Sequence, residues 1–213
     1  MPRNYYGGMK GAEVSHSPEQ IRSFIAIELP GEVREGLARL RNAMKRDEHK
    51  FVKWVSPDGI HLTLKFLGNI PSKQVTEITE ALEEATQGIS PFHLEISGLG
   101  AFPSLKQIRV FWVGIVGEVD KLLKLQRNID SALAVLGFAK EERPFVPHLT
   151  LARLRPGSSP LERRNFGELV GSTIFEDIYH IEVEAVSLMR SQLTPAGAVY
   201  TRLSAVGLDL KKS

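Results

Sequence analysis

In "RSFIAIEL" (22–29) apolar residues fall on both parities, Phe24 and Ala26 against Ile25, Ile27 and Leu29, which predicts a strand buried on both faces. Pro30 then opens a helix, as proline does in a first turn. In "GEVREGLARLRNAMKR" (31–46), Val33, Leu37, Leu40 and Met44 recur at helical spacing with Arg and Glu opposite. "FVKWV" and "GIHLTLKFLG" read as strands around the turn "SPDG". "PSKQVTEITEALEEA" (71–85) restarts a helix on Val75, Ile78, Leu82 and Ala85, with Ser72 as the expected cap. "FHLEISGLGAF" and "QIRVFWVGIV" are two further strands, joined by a loop containing Pro103. A third helix covers 118–136 on Leu122, Leu125, Ile129, Leu133 and Leu136, and Gly137 ends it. "HLTLARL" (148–154) is again a strand, and 160–170 a short helix or turn. "YHIEVEAVSLMRSQL" then pairs with "AVYTRLSAVGL" as a closing hairpin around "TPAGA".

Strands and helices in this order specify an α+β fold, mostly antiparallel sheet covered by helices. No low-complexity linker divides the chain. Residues 1–20, rich in Gly, Ser and polar groups, are expected to form a flexible extension, and 21–210 a single domain. No apolar run reaches the ~20 residues that span a bilayer, and the N-terminus lacks a signal-peptide core, so residence in the cytoplasm is expected. Net charge is +2, which does not by itself announce a nucleic-acid partner. The absence of cysteine excludes a disulfide scaffold, a thiol nucleophile and a cysteine-ligated metal.

One tetrapeptide occurs twice, as His61-Leu62-Thr63-Leu64 and His148-Leu149-Thr150-Leu151. On a strand, His and Thr of each copy share one face while both leucines enter a core. A single such histidine is most simply structural. Two of six histidines followed by apolar-Thr-apolar should arise by chance on the order of once per thousand chains. His16, His49, His93 and His180 lack the pattern. The repeat suggests an internal duplication, two pseudo-symmetric lobes that bring the motifs together. Zinc fits poorly: neither tetrapeptide holds an acidic residue, no His-x-x-x-His spacing exists, and threonine is a weak ligand. In-line displacement at phosphorus fits better. It needs a base and an acid on opposite sides, and imidazole, with a pKa of roughly 6.5, can be either. A hydroxyl beside each histidine can meet the growing charge on the non-bridging oxygens. No metal or cofactor is required, and the residues alone leave open which histidine is acid.

These motifs, in "KWVSPDGIHLTLKFLG" and "FVPHLTLARL", together with "RSFIAIELP" and "SLMRSQLTPAGAVYTRL", resemble the 2H phosphoesterases over about 21–208. Within them they resemble the RNA 2′,3′-cyclic phosphodiesterases, a group also called 2′-5′ RNA ligase-like. The resemblance implies two lobes facing across a central cleft. It implies hydrolysis of a terminal RNA 2′,3′-cyclic phosphate to a 2′-phosphate, with His61 as proton donor and His148 as proton acceptor. Thr63 and Thr150 would hold phosphate oxygens, with weak reverse 2′-5′ ligation. The expected partner is RNA with such an end, tRNA fragments among them, acted on by a monomer. Rival readings are a phosphodiesterase for small cyclic nucleotides and a non-catalytic module that grips RNA ends.

Supporting residues follow from strand parity. Lys65 shares the face of Thr63 and could add positive potential. Arg153, an odd step from His148, falls on the opposite face of an ideal strand; a bulge or the strand end could return it to the cleft, and a plain surface arginine is the equal alternative. Phe145 could stack on a base, as could Phe66, for which core packing is the simpler expectation. The clusters Arg39-Arg41-Lys45-Arg46 and Arg163-Arg164 read as solvated helix faces.

Overall fold

A computed structural model describes residues 19–176, 179–195 and 197–209. Its elements follow the order β1 (Gln20–Ile27), α1 (Gly31–Met44), β2 (Val52–Trp54), β3 (Leu62–Pro71), α2 (Gln74–Thr86), β4 (Phe92–Phe102), β5 (Val110–Gly117), α3 (Val119–Val135), β6 (His148–Leu154), α4 (Pro160–Ser172), β7 (Tyr179–Val183), β8 (Ala185–Thr194) and β9 (Gly197–Gly207). Two antiparallel sheets result, ordered β3-β1-β8-β9 and β2-β6-β5-β4-β7. Without the short edge strand β2, each sheet begins with a motif strand and continues with a central strand antiparallel to it: β3 beside β1, and β6 beside β5. The sheets meet where β3 approaches β6. This is the α+β, two-lobe arrangement expected from the pattern.

The helices close one side of both sheets. α1 buries Val33, Leu37 and Met44; α2 buries Ile78, Leu82 and Ala85; α3 buries Leu122, Leu125, Ile129 and Leu133. All pack into one continuous core with the motif leucines Leu62, Leu64, Leu149 and Leu151. Burying a leucine contributes on the order of 2–3 kcal/mol, so turning either motif strand over would forfeit two such contributions. The leucines thereby fix the direction in which the intervening threonines point. α4 starts with a capping box, Ser159 Oγ accepting from Glu162 N while Glu162 accepts from Ser159 N.

Three local expectations change. Residues 179–193 form two strands, not one: β7 joins the five-stranded sheet beside β4, whereas β8 crosses to the middle of the other. The lobes are therefore not the two halves of the sequence, since each sheet takes strands from both. The residue before α2 is Lys73, with no side-chain cap, so Ser72 does not cap that helix; only its carbonyl accepts, from Val75 N. Of the expected 1–20 extension, residues 1–18 lie outside the described residues. Gln20 already belongs to β1, and Arg190 of β8 donates to Glu19 at 2.8 Å. Leu210, the expected end of the domain, also lies outside.

Candidate active site

Both motif strands carry a bulge at the same place. On β3 the register runs from Ala26↔Thr63 to Ile25↔Lys65, leaving Leu64 as the extra residue. On β6 it runs from Trp112↔Thr150 to Phe111↔Ala152, leaving Leu151. A bulge reverses side-chain parity beyond it. Lys65 therefore lies with Ile25 on the helix side, and Ala152 with Phe111; Phe66 and Arg153 return to the faces of Thr63 and Thr150.

This overturns the expectation for Lys65. It is 8% exposed, its ammonium ion-pairs with Asp130 of α3, and it also donates to the Ala139 carbonyl at 2.7 Å. It is a structural cation that ties β3 to the segment leading toward β6. The two phenylalanines exchange the expected places as well. Phe66 stands 67% exposed beside Phe24, while Phe145 packs against the main core. Arg153 is exposed, opposite Val110 of β5 and Lys53 of β2. The two cations add positive potential beside Thr150.

His61 follows the 3₁₀ turn Pro57–Gly59, and one of its ring nitrogens donates to the Gly59 carbonyl. Phe24 stacks on the imidazole (centroids 4.5 Å, 25° between planes), and Tyr200 of β9 meets it edge-on at 5.0 Å. These rings were not anticipated. Phe24, Ala26 and Met189, with Tyr200 against them, form a small apolar cluster separate from the main core. Burial among these groups drives the His61 pKa from 6.5 down to about 4, against the opposing pull of the Gly59 carbonyl and the Glu28 carboxylate.

His148 repeats the plan. Its Nδ1 lies 2.7 Å from the Val146 carbonyl, which can only accept, so Nδ1 carries the hydrogen and Nε2 keeps its lone pair. Phe102 meets the ring edge-on at 4.9 Å, and Trp112 lies tilted at 6.2 Å. Trp112 occupies this place because Gly100 leaves room: a Cβ there would come within 2.2 Å of the indole. Burial, and secondarily the charge of Arg153, lower the His148 pKa. Each histidine is thus oriented by the carbonyl two residues before it and walled by two aromatic rings. Because Leu62 and Leu149 enter one core, Thr63 and Thr150 emerge half-buried on the opposite side of their sheets, each beside its imidazole.

Among the described residues there is no group of three His, Asp or Glu side chains placed to hold a metal ion. No described helix is long and apolar enough to cross a membrane.

Comparison with known proteins agrees with this two-fold plan. A family model described as LigT like phosphoesterase matches twice, over residues 27–112 and 113–200, one motif in each match. A relative from Methanothermobacter thermautotrophicus named RNA 2′,3′-cyclic phosphodiesterase is 35% identical over 182 residues, covering 85% of this chain and 96% of the relative. A protein of the same name from Thermotoga maritima is 34% identical, covering 84% and 91%. Among solved structures, E. coli LigT complexed with 3′-AMP superposes with a TM-score of 0.70 at 27% identity, covering 90% of this chain and all of that one. The duplicated His-Leu-Thr-Leu strands, the shared bulges and the double match lead to one assignment: the chain is a phosphoesterase and belongs to the LigT like phosphoesterase family.

Proposed function

We propose that this phosphoesterase opens RNA 2′,3′-cyclic phosphate ends to 2′-phosphomonoesters by paired-histidine acid–base catalysis, without a metal ion. The observation that carries the reading is the matched pair of His-x-Thr faces on the two strands where the sheets meet. The names of the relatives, RNA 2′,3′-cyclic phosphodiesterase, support the substrate.

His148 Nε2 takes a proton from water as the oxygen attacks phosphorus. The bond to O3′ breaks in line, and His61 gives that oxygen its proton. The Thr63 and Thr150 hydroxyls donate to the non-bridging oxygens, whose charge grows toward the transition state, and Arg153 adds its guanidinium from the His148 side. The 2′-ester bond survives, so the product is a 2′-phosphomonoester. Run backwards with an RNA 5′-hydroxyl in place of water, the same groups would form a 2′-5′ linkage. The expected setting is the cytoplasm, with a monomer acting on RNA ends such as tRNA fragments.

The test is incubation of purified protein, in EDTA, with an RNA oligomer ending in a 2′,3′-cyclic phosphate, alongside cyclic mononucleotides. The proposal expects turnover in chelator, a 2′-phosphate product and preference for the oligomer. A 3′-phosphate product or dependence on added metal refutes the chemistry. Faster turnover of mononucleotides refutes the substrate. Binding without product would make the chain an RNA-end receptor.

A further inference from the structure

The two histidines are built alike but their cross-strand neighbours differ. His148 stands opposite Gly114 of β5, which offers no side chain. On the other sheet the register pairs Ala26 with Thr63 and Ile27 with Leu62. Glu28 directly follows the last β1 residue of that ladder and His61 directly precedes the first β3 residue, so the two flank its final pair, and the Glu28 carboxylate attracts the His61 imidazolium. The carboxylate there is held on three sides. Ser187, buried on β8, donates to Oε1 at 2.6 Å, and Arg202 of β9 donates from Nε to Oε1 at 2.7 Å and from Nη2 to Oε2 at 3.0 Å. These partners lie far away in sequence, so the cluster exists only because β1, β8 and β9 are neighbours.

A fork of this kind fixes a carboxylate in place and keeps it ionised. The arrangement also meets a need of the mechanism. An imidazole sandwiched between Phe24 and Tyr200 loses solvation for its cation, yet the leaving group requires a proton from it. Resting on the acid role for His61 given above, we propose that Glu28 is the positioning residue of that acid: a fixed negative charge, set by Ser187 and Arg202, that favours the imidazolium at position 61. The absence of a counterpart opposite His148, where Arg153 opposes protonation, leaves that ring as the base. The duplicated site is thereby divided into an acid half and a base half by two differences: Glu28 beside one histidine where Gly114 faces the other, and Arg153 on the second strand where the first has Phe66.

Three side chains act on the carboxylate from the elements around it: Arg202 from β9, Ser187 from β8, and Arg34 of α1, which exerts a weaker pull. Removing Arg202 should therefore act opposite to removing Glu28. Neutralising the carboxylate lowers the proton affinity of His61, whereas neutralising the guanidinium lets the carboxylate act more fully and raises it.

The experiment is NMR of histidine-labelled full-length protein, titrated from neutral pH down to the onset of acid unfolding, for wild type, Glu28→Gln, Glu28→Asp and Arg202→Met. The His61 titration should move down by at least about half a pH unit in Glu28→Gln, return part of the way in Glu28→Asp, and move up in Arg202→Met. His148 should titrate unchanged in all four. In the pH–rate profile, Glu28→Gln should lose roughly 3–10-fold in kcat above the optimum with little change in KM, and its alkaline limb should shift to lower pH. A His61 titration insensitive to both substitutions, or a rate loss uniform across pH, overturns the inference. The titration needs no substrate, so a protein inactive on cyclic phosphates would refute the proposed reaction while this result still decided the role of Glu28.

Discussion

Leu64 of β3 and Leu151 of β6 are structural equivalents: each is the unpaired residue of a bulge three positions after its histidine. The bulge lets two consecutive residues face the core and returns the fifth to the imidazole's side. That fifth residue is Phe66 in one lobe and Arg153 in the other, an aromatic ring against a cation.

Arg153 should therefore serve both the phosphate and His148. Replacing it with Met should raise KM for a cyclic-phosphate RNA about tenfold, as loss of one charge-assisted contact implies. Burial holds the His148 pKa down and the Arg153 charge adds to it, so removing that charge should raise the pKa and move the acid limb of the pH–rate profile to higher pH. Steady-state kinetics across pH will show this. An unchanged KM and an unmoved limb would remove Arg153 from the site.

Phe66 should matter for substrate and not for folding. Its side chain is exposed, so Phe66→Ala should leave the unfolding free energy within about 0.5 kcal/mol of wild type. Stacking of a base on such a ring is worth ~1–3 kcal/mol, so KM for an RNA oligomer should rise 5-fold or more by the same estimate, ~1 kcal/mol at the least. Urea denaturation together with oligomer kinetics separates the two effects.

Lys65 should behave in the opposite way. Its ammonium and the Asp130 carboxylate are buried together, with side chains 6% and 14% exposed. Lys65→Met leaves Asp130 unpaired in the interior, a change that costs ~3–5 kcal/mol. The double variant Lys65→Met/Asp130→Leu should recover much of that loss in urea unfolding. Equal stability of single and double variants would show that the pair is not coupled.

Burial of His61 also links stability to pH. A pKa near 4 in the folded chain, against 6.5 for the ordinary imidazole, means that the unfolded chain binds the extra proton first. The contribution is fully present above pH 6.5 and is lost as pH falls toward 4, up to ~3 kcal/mol for this one group. His61→Phe should flatten the unfolding free energy across that window. A slope equal to that of wild type would show that the imidazole is not desolvated as described.

Most of the site's framework was legible in the sequence because it rests on short-range periodicity. The limits of β4 and β6 coincide with the runs read from the pattern, and the repeated tetrapeptide marked the two strands that meet. What escaped has a common physical cause. A bulge shifts parity by one residue without any signature in composition, so Lys65 was placed on the wrong face and Phe66 in the core. The β7–β8 break at Glu184 sits inside an alternating run and becomes visible only when the two strands join different sheets. Glu28 was overlooked because its partners, Ser187 and Arg202, come from the far end of the chain. The one available signal was an acidic residue within "AIELP", directly after a strand buried on both faces.

The central claim is that His61 and His148 act together on one phosphate, and the direct measurement is the turnover of an RNA 2′,3′-cyclic phosphate by the two single alanine variants near neutral pH. Each variant should remain folded by circular dichroism and lose ~10²–10⁴-fold in kcat. Near-wild-type turnover in either His61→Ala or His148→Ala would contradict the account.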